Sequence, residues 1–322
     1  MNVFVLTLSA LLAAPAPAAR AAAPLTIEKT VTIPGGPGGF DWMLYDGRLK
    51  RIFATHKGTK TVAIVDAATD KVIDPVTVGT AQGVAIDRAD NKIFLGDDEE
   101  HKVVAIDYTT LKPTGDETAV TGPVDDLIFC AKNSMLYAAH DDGTDIWVID
   151  PKTNKIVTSV QIPAAPEKML YDRTSDRIYA NIKSNNTIQV IDPSTNKVEK
   201  TISTLPAEGP HGLVADGRAQ HLFSAGSNGK LVEIDIKSGA VISSVDIAKG
   251  VDQIAFDRSN HRIYCACHGE ITVAEISDSG LSVVGSVKTP SGCHTITVDS
   301  STHAVWTCGF DKEQSYFVKL VP

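Results

Sequence analysis

The sequence predicts an all-β fold: a seven-bladed β-propeller of four-stranded antiparallel blades, closed by the N-terminal strand. Three observations carry that expectation. A self-similar unit of roughly 41 to 47 residues recurs along the chain, and a period in this range marks a repeat architecture. Each unit holds runs of four to eight residues rich in Val, Ile and Tyr and separated by turn signals, which is strand patterning. The strand types are unequal in number, and a closed ring resolves the imbalance.

Seven first strands can be read, most ending in Asp: DWMLYD (41–46), GVAID (83–87), DLIFC (126–130), KMLYD (168–172), GLVAD (212–216), QIAFD (253–257) and TITVD (295–299). Second strands follow as RIFAT, KIFLG, MLYAA, RIYAN, HLFSA, RIYCA and AVWTC. Third strands follow as TVAIVD, KVVAID, DIWVID, TIQVID, KLVEID, ITVAEI and SYFVKL. Only six fourth strands come after them, among them KIVTSVQI and AVISSVDI, and TIEKTVTIP at 26–34 supplies the seventh. Asp46, Asp87, Asp172, Asp216, Asp257 and Asp299 recur at the first hairpin, and Asp66, Asp107, Asp150, Asp192 and Asp235 at the next, where an Asp side chain caps a tight turn. His221, His261 and His303 precede second strands and are expected at the surface.

Residues 1–23 read as a secretory signal peptide, with an apolar stretch from Val3 to Ala14 and small residues around Ala19 and Ala21, and residues 24–322 as one propeller domain. The expected location is therefore periplasmic or extracellular. No later segment approaches the twenty apolar residues of a membrane span, and a monomer is expected. Acidic residues outnumber basic ones, 39 to 30, with lysines scattered singly, which disfavours nucleic acid as a partner. Five cysteines leave at least one unpaired. Cys293 and Cys308 face each other across a hairpin and could form a disulfide, whereas Cys265 and Cys267 alternate on one strand and share a face.

The runs GVAID…IFLG…VVAID and KMLYD…RIYANIKSNNTIQVIDPSTNK resemble the YVTN-type repeat of YncE-like periplasmic propellers, over all seven blades from about residue 26 to 322. The resemblance implies the fold. For activity it implies a range: related propellers include binding proteins, a metal-dependent antibiotic lyase, lactone hydrolases and a copper-cluster reductase domain.

Aligning the blades places one residue of each at the start of its innermost strand: Asp41, Gln82, Asp125, Glu167, His211, Asp252 and His294. Acidic residues and histidines number only 39 and 9 of 322, yet six of these seven are of those types, so a ring at one channel mouth is expected to carry function. The loops after second strands add His56, Asp97, His101, His140, Asp141 and His268. The consecutive arc His211, Asp252, His294 and Asp41 is the candidate set for a divalent ion, and mixed imidazole and carboxylate ligands suit Zn, Mn, Fe or Cu. Asp125, Glu167, Gln82 and His268 are candidate ligand-binding residues, with His56 and His140 as candidate catalytic acid or base. The leading expectation is an exported propeller that binds a small ligand or metal ion at this mouth. A metal-dependent lyase or hydrolase using the same ring is the alternative, DNA binding ranks below both, and a solvated rim without a role competes with all three. Trimming His211 and His294 is expected to leave the fold intact and its ligand-free stability level or higher.

Overall fold

The computed structural model describes residues 24–290 and 292–322, so the expected signal segment lies outside the described residues. Each blade is an antiparallel sheet of four strands, and there are seven such sheets among the described residues. Six follow chain order from the innermost strand outward, as in Phe40–Asp46, Arg51–His56, Thr61–Asp66 and Lys71–Thr77. The seventh combines Ile296–Asp299, Ala304–Phe310 and Ser315–Val321 with Thr26–Ile33, which pairs antiparallel to Ser315–Val321. The ring therefore closes as the strand count required. Successive first strands touch one another around the whole circle, so they line the central channel.

The hairpins explain the recurring turn residues. Asp46, Asp87, Asp172, Asp216, Asp257 and Asp299 each accept the backbone N–H two residues on, at 2.9–3.2 Å. Asp66, Asp107, Asp150, Asp192 and Asp235 also cap their turns. One residue ahead of each second strand the chain turns left-handed, at Lys50, Asn91, Ser134, Asp176, Gln220, His261 and His303, with φ between 51° and 62°. His261 and His303 are therefore turn residues.

The core lies between blades. Trp306 and Phe317 of the last blade pack with Ile52 and Ala54 of the first, and Tyr137 and Val148 of the third with Met169 and Ile178 of the fourth. The cysteines follow this division. Cys293 packs between blades six and seven and Cys308 between blades seven and one, on opposite faces of one sheet, so the disulfide expected as possible is absent and both thiols are free and buried. Cys265 and Cys267 share the core between blades five and six. No helix among the described residues is long and apolar enough to cross a membrane.

Candidate functional site

A β-bulge positions the ring. The pairing of first and second strands slips between Phe40 and Met43, Ala81 and Val84, Val124 and Leu127, Pro166 and Met169, and Pro210 and Gly212. Residues in such a slip leave the ladder and can be re-aimed, which is why bulges accompany binding sites. Asp41, Gln82, Asp125, Glu167 and His211 are therefore freed from regular pairing, while Asp252 and His294 lie just ahead of their strands Ile254–Asp257 and Ile296–Asp299. Gly83 holds one bulge close to its neighbour: a Cβ there would stand 2.5 Å from the Leu127 nitrogen.

The ring members join into a chain of contacts. Lys183 Nζ lies 3.0 Å from Glu167 Oε1, and Glu167 Oε2 lies 3.2 Å from His211 Nδ1. Asp252 bridges the two imidazoles, 3.6 Å from His211 Nδ1 and 2.5 Å from His294 Nδ1, and the His268 ring stacks on His294 with centroids 5.1 Å apart. Asp41 stands beside this arc with Lys57 Nζ at 3.5 Å. A cavity of about 130 Å³ opens among Asp41, Asp125, Glu167, His211 and Asp252. The structure thus brings together six of the sequence-predicted residues, Asp41, Asp125, Glu167, His211, Asp252 and His294, with His268 behind them.

The ring's titration is strongly perturbed. Burial pushes Asp41 up to about 6 against the pull of Lys57, and burial with Asp41 and Glu167 nearby holds Asp125 well above the carboxylate range. Burial opposes charge on His211, but the Asp252 and Glu167 carboxylates outweigh it and raise His211 to about 9. His294 is raised on the same balance by Asp252, whose own carboxyl is pulled far down by the two imidazoles despite its burial. A raised folded-state value gives stability that is complete below the unfolded value and lost as pH rises through the folded one. Asp41 loses its contribution between about 4 and about 6, and His211 between about 6.5 and about 9. Below about 6.5 the buried His56 ring, lowered to about 4, works against the Asp41 fall, so the melting temperature of the ligand-free protein should fall between pH 7 and pH 9, as His211 loses its proton. A flat profile would contradict this.

Sequence reasoning overlooked a second tier, one residue deeper: Trp42, Gly83, Asp126, Lys168, Gly212, Gln253 and Thr295. Lys168 Nζ is held 3.0 and 3.3 Å from the two oxygens of Asp126 and 3.5 Å from the centre of the Trp42 ring. Asp126, 2% exposed, also accepts the Met169 N–H at 2.7 Å. Gln253 ties three blades together, accepting from Met43 and Ile296 and donating to the Met43 carbonyl. Asp126→Ala would leave the Lys168 ammonium and the Leu127 and Met169 amides unpartnered, so it should cost about 3–5 kcal/mol in urea unfolding; a cost under about 1 kcal/mol would mean that water replaces the pair.

The remaining expected residues lie elsewhere. His56 is 1% exposed, stacks on Phe40 at 4.3 Å, and has both ring nitrogens held, by Thr59 Oγ1 at 2.9 Å and Ser315 Oγ at 3.1 Å. Burial drops it to about 4, so it is a neutral packing residue between blades. His140 stacks on Trp147 at 4.3 Å and lies within 3.1 Å of Asp142 and 2.9 Å of Asp145, away from the cavity walls. Asp97 caps the turn at Glu99 and Glu100, and His101 adopts a left-handed turn conformation. Gln82 is buried on its bulge but does not line the cavity.

Among the described residues, no three His, Cys, Asp or Glu side chains converge on a point where a metal ion could sit. The 2.5 Å contact of Asp252 with His294 is a hydrogen bond that occupies the groups a metal would need, so the arc as folded is a hydrogen-bonded array rather than a chelate. One buried donor lining the cavity, Trp42 Nε1, has no hydrogen-bond partner, while His211 Nδ1 faces the Glu167 and Asp252 carboxylates at 3.2 and 3.6 Å.

No protein-family model and no curated protein matches the chain. Solved structures do. A chain of hydrazine synthase from Kuenenia stuttgartiensis is similar with a TM-score of 0.74 and 15% identity, covering 89% of this chain and 96% of that one. A chain of a mitotic checkpoint complex is similar with a TM-score of 0.76 and 14% identity, covering 100% of this chain and 99% of that one. At such identities the likeness carries architecture alone: the chain is a seven-bladed β-propeller, with the fold of these proteins and no shared activity implied.

Proposed function

We propose that the channel mouth is a binding site for a small hydroxyl-rich ligand. The observation that carries the reading is Trp42 Nε1, a buried donor with no partner, in the wall of a cavity where the Asp41, Asp125, Glu167 and Asp252 carboxylates converge with the His211 imidazole. An orphaned buried polar group is rare and costs about 1–3 kcal/mol, so its persistence calls for a partner. A polyol supplies what both halves of the wall lack: its oxygens accept from Trp42 and His211, and its hydroxyls donate to Asp41, Glu167 and Asp252. The repeat resemblance to YncE-like periplasmic propellers is compatible with such a role. Titration calorimetry with glucose, xylose and glycerol tests it, with Zn²⁺ as a separate titrant. Binding of at least one polyol supports the reading. Binding of Zn²⁺ alone would replace it with the metal-ion reading of the same arc, and binding of none would remove both.

A further inference from the structure

We infer a second binding site at the opposite end of the channel, for a small amphiphilic anion with an apolar body and a carboxylate or phosphate head. The first hairpin of five blades places an arginine just past the capping aspartate: Arg48, Arg88, Arg173, Arg218 and Arg258. Since first strands line the channel, these turns surround the mouth farthest from the His and carboxylate ring. All five side chains are exposed. Arg88 and Arg258 reach back to the neighbouring blade's aspartate, at 2.9 and 3.7 Å, but Arg48, Arg173 and Arg218 have no carboxylate within 4 Å among the described residues. In a chain with a formal net charge of −9, unpaired guanidiniums gathered at one opening are not a solvated average of the surface.

Inside this rim lies a basin of about 800 Å³, the larger opening of the channel. Its walls are Leu44, Leu170, Val214, Phe256 and Val298, and Lys168 and Trp42 form its floor, shared with the cavity above. The Arg258 guanidinium lies 5.8 Å from the centre of the Phe256 ring, at the boundary of apolar wall and charged rim. The acidic groups facing the same mouth are the turn aspartates, Asp172 among them. They are 9% exposed or less and each is engaged by backbone N–H groups of its own turn; of the outer acids in the same hairpins, Asp176 is paired to Lys132 and Asp90 is exposed, against five guanidiniums. Lys168 is already neutralised by Asp126, which puts the recognition of a head group at the rim and of the apolar body in the basin.

The test is titration of the full chain with decanoate, decyl phosphate and decyltrimethylammonium, each kept below its micellar concentration. Decanoate or decyl phosphate should bind, and the cationic amphiphile should not; which anion binds tighter identifies the head group. Arg173→Gln with Arg218→Gln and Arg258→Gln should weaken anion binding about tenfold or more, as expected when charge-assisted hydrogen bonds are removed. Lys71→Gln with Lys155→Gln and Lys197→Gln, which removes equal charge from exposed outer hairpins, should change affinity less than about twofold. Should neither anion bind, should the cationic amphiphile bind equally well, or should the two triple variants behave alike, the site is not there. A melting curve on each variant separates lost binding from lost fold.

Discussion

Removing residues 24–34 is expected to lower the melting temperature by roughly 10 °C and to leave the protein prone to self-association. The reasoning starts from strand Thr26–Ile33, whose seven paired positions run from Thr26 opposite Val321 to Ile33 opposite Ser315. Most of its side chains are exposed, so the strand contributes through its ladder and its ends. Leu25 and Ile33 are 0% and 1% exposed, and burying side chains of this size contributes about 2 kcal/mol each. Lys319 pairs with Glu28 at 3.0 Å and Lys29 with Asp70 of the first blade at 3.4 Å, but such surface pairs add little, about 0–1 kcal/mol each. Without the strand, Ser315–Val321 becomes an open edge and the seam between blades seven and one loses one wall. The loss is on the order of 5 kcal/mol. Calorimetry on chains beginning at residues 24 and 35 measures it. A difference under about 2 °C would mean that the ring does not depend on its N-terminal closure. If the shorter chain cannot be purified, Leu25→Ala in the longer one should still cost about 2–5 kcal/mol.

That closure was legible because it is a counting argument: six fourth strands cannot complete seven blades. The ring was legible for a related reason, since one column of the repeat breaks from the apolar and Pro residues just before it. What the column could not show is the bulge. A bulge frees two consecutive residues, so the channel has two tiers, and the second was read only as strand. Lys168 and Asp126 looked like ordinary strand residues in KMLYD and DLIFC, and their pairing across 42 positions depends on adjacent blades facing each other. The signal that could have found them is the next column over, where a Trp, an Asp, a Lys and a Gln replace the expected apolar residues. His56 failed for the opposite reason. It ends a second strand, as a mouth residue should, but the last-blade Ser315 and its own Phe40 enclose it, and no single-chain pattern reveals that seam. The expectation that trimming the ring histidines would not cost stability also changes sign. Asp252 depends on both imidazoles, and Glu167 on one, so their removal leaves carboxylates facing one another.

His211→Ala with His294→Ala should therefore melt a few degrees lower than the parent at pH 7 while remaining folded, and should lose polyol binding by about a hundredfold or more. The control is His221→Ala with His303→Ala. Those imidazoles pair with Glu233 at 2.8 Å and Asp257 at 2.7 Å on the far side of the blades, so that variant should bind as the parent does. The pH dependence then separates the two possible occupants of the arc by sign. His211 carries its proton up to about 9, and a protonated ring makes the stronger, charge-assisted bond to a ligand oxygen. Polyol affinity should consequently fall several-fold between pH 7.5 and pH 10, a loss of about 1 kcal/mol as the bond becomes neutral. A metal ion must displace that same proton before it can use the imidazole, so Zn²⁺ affinity would climb over the same interval. A polyol whose affinity rises through pH 9, or whose binding survives the double histidine variant, does not contact His211, and the mouth would then be a hydrated rim instead of a ligand site.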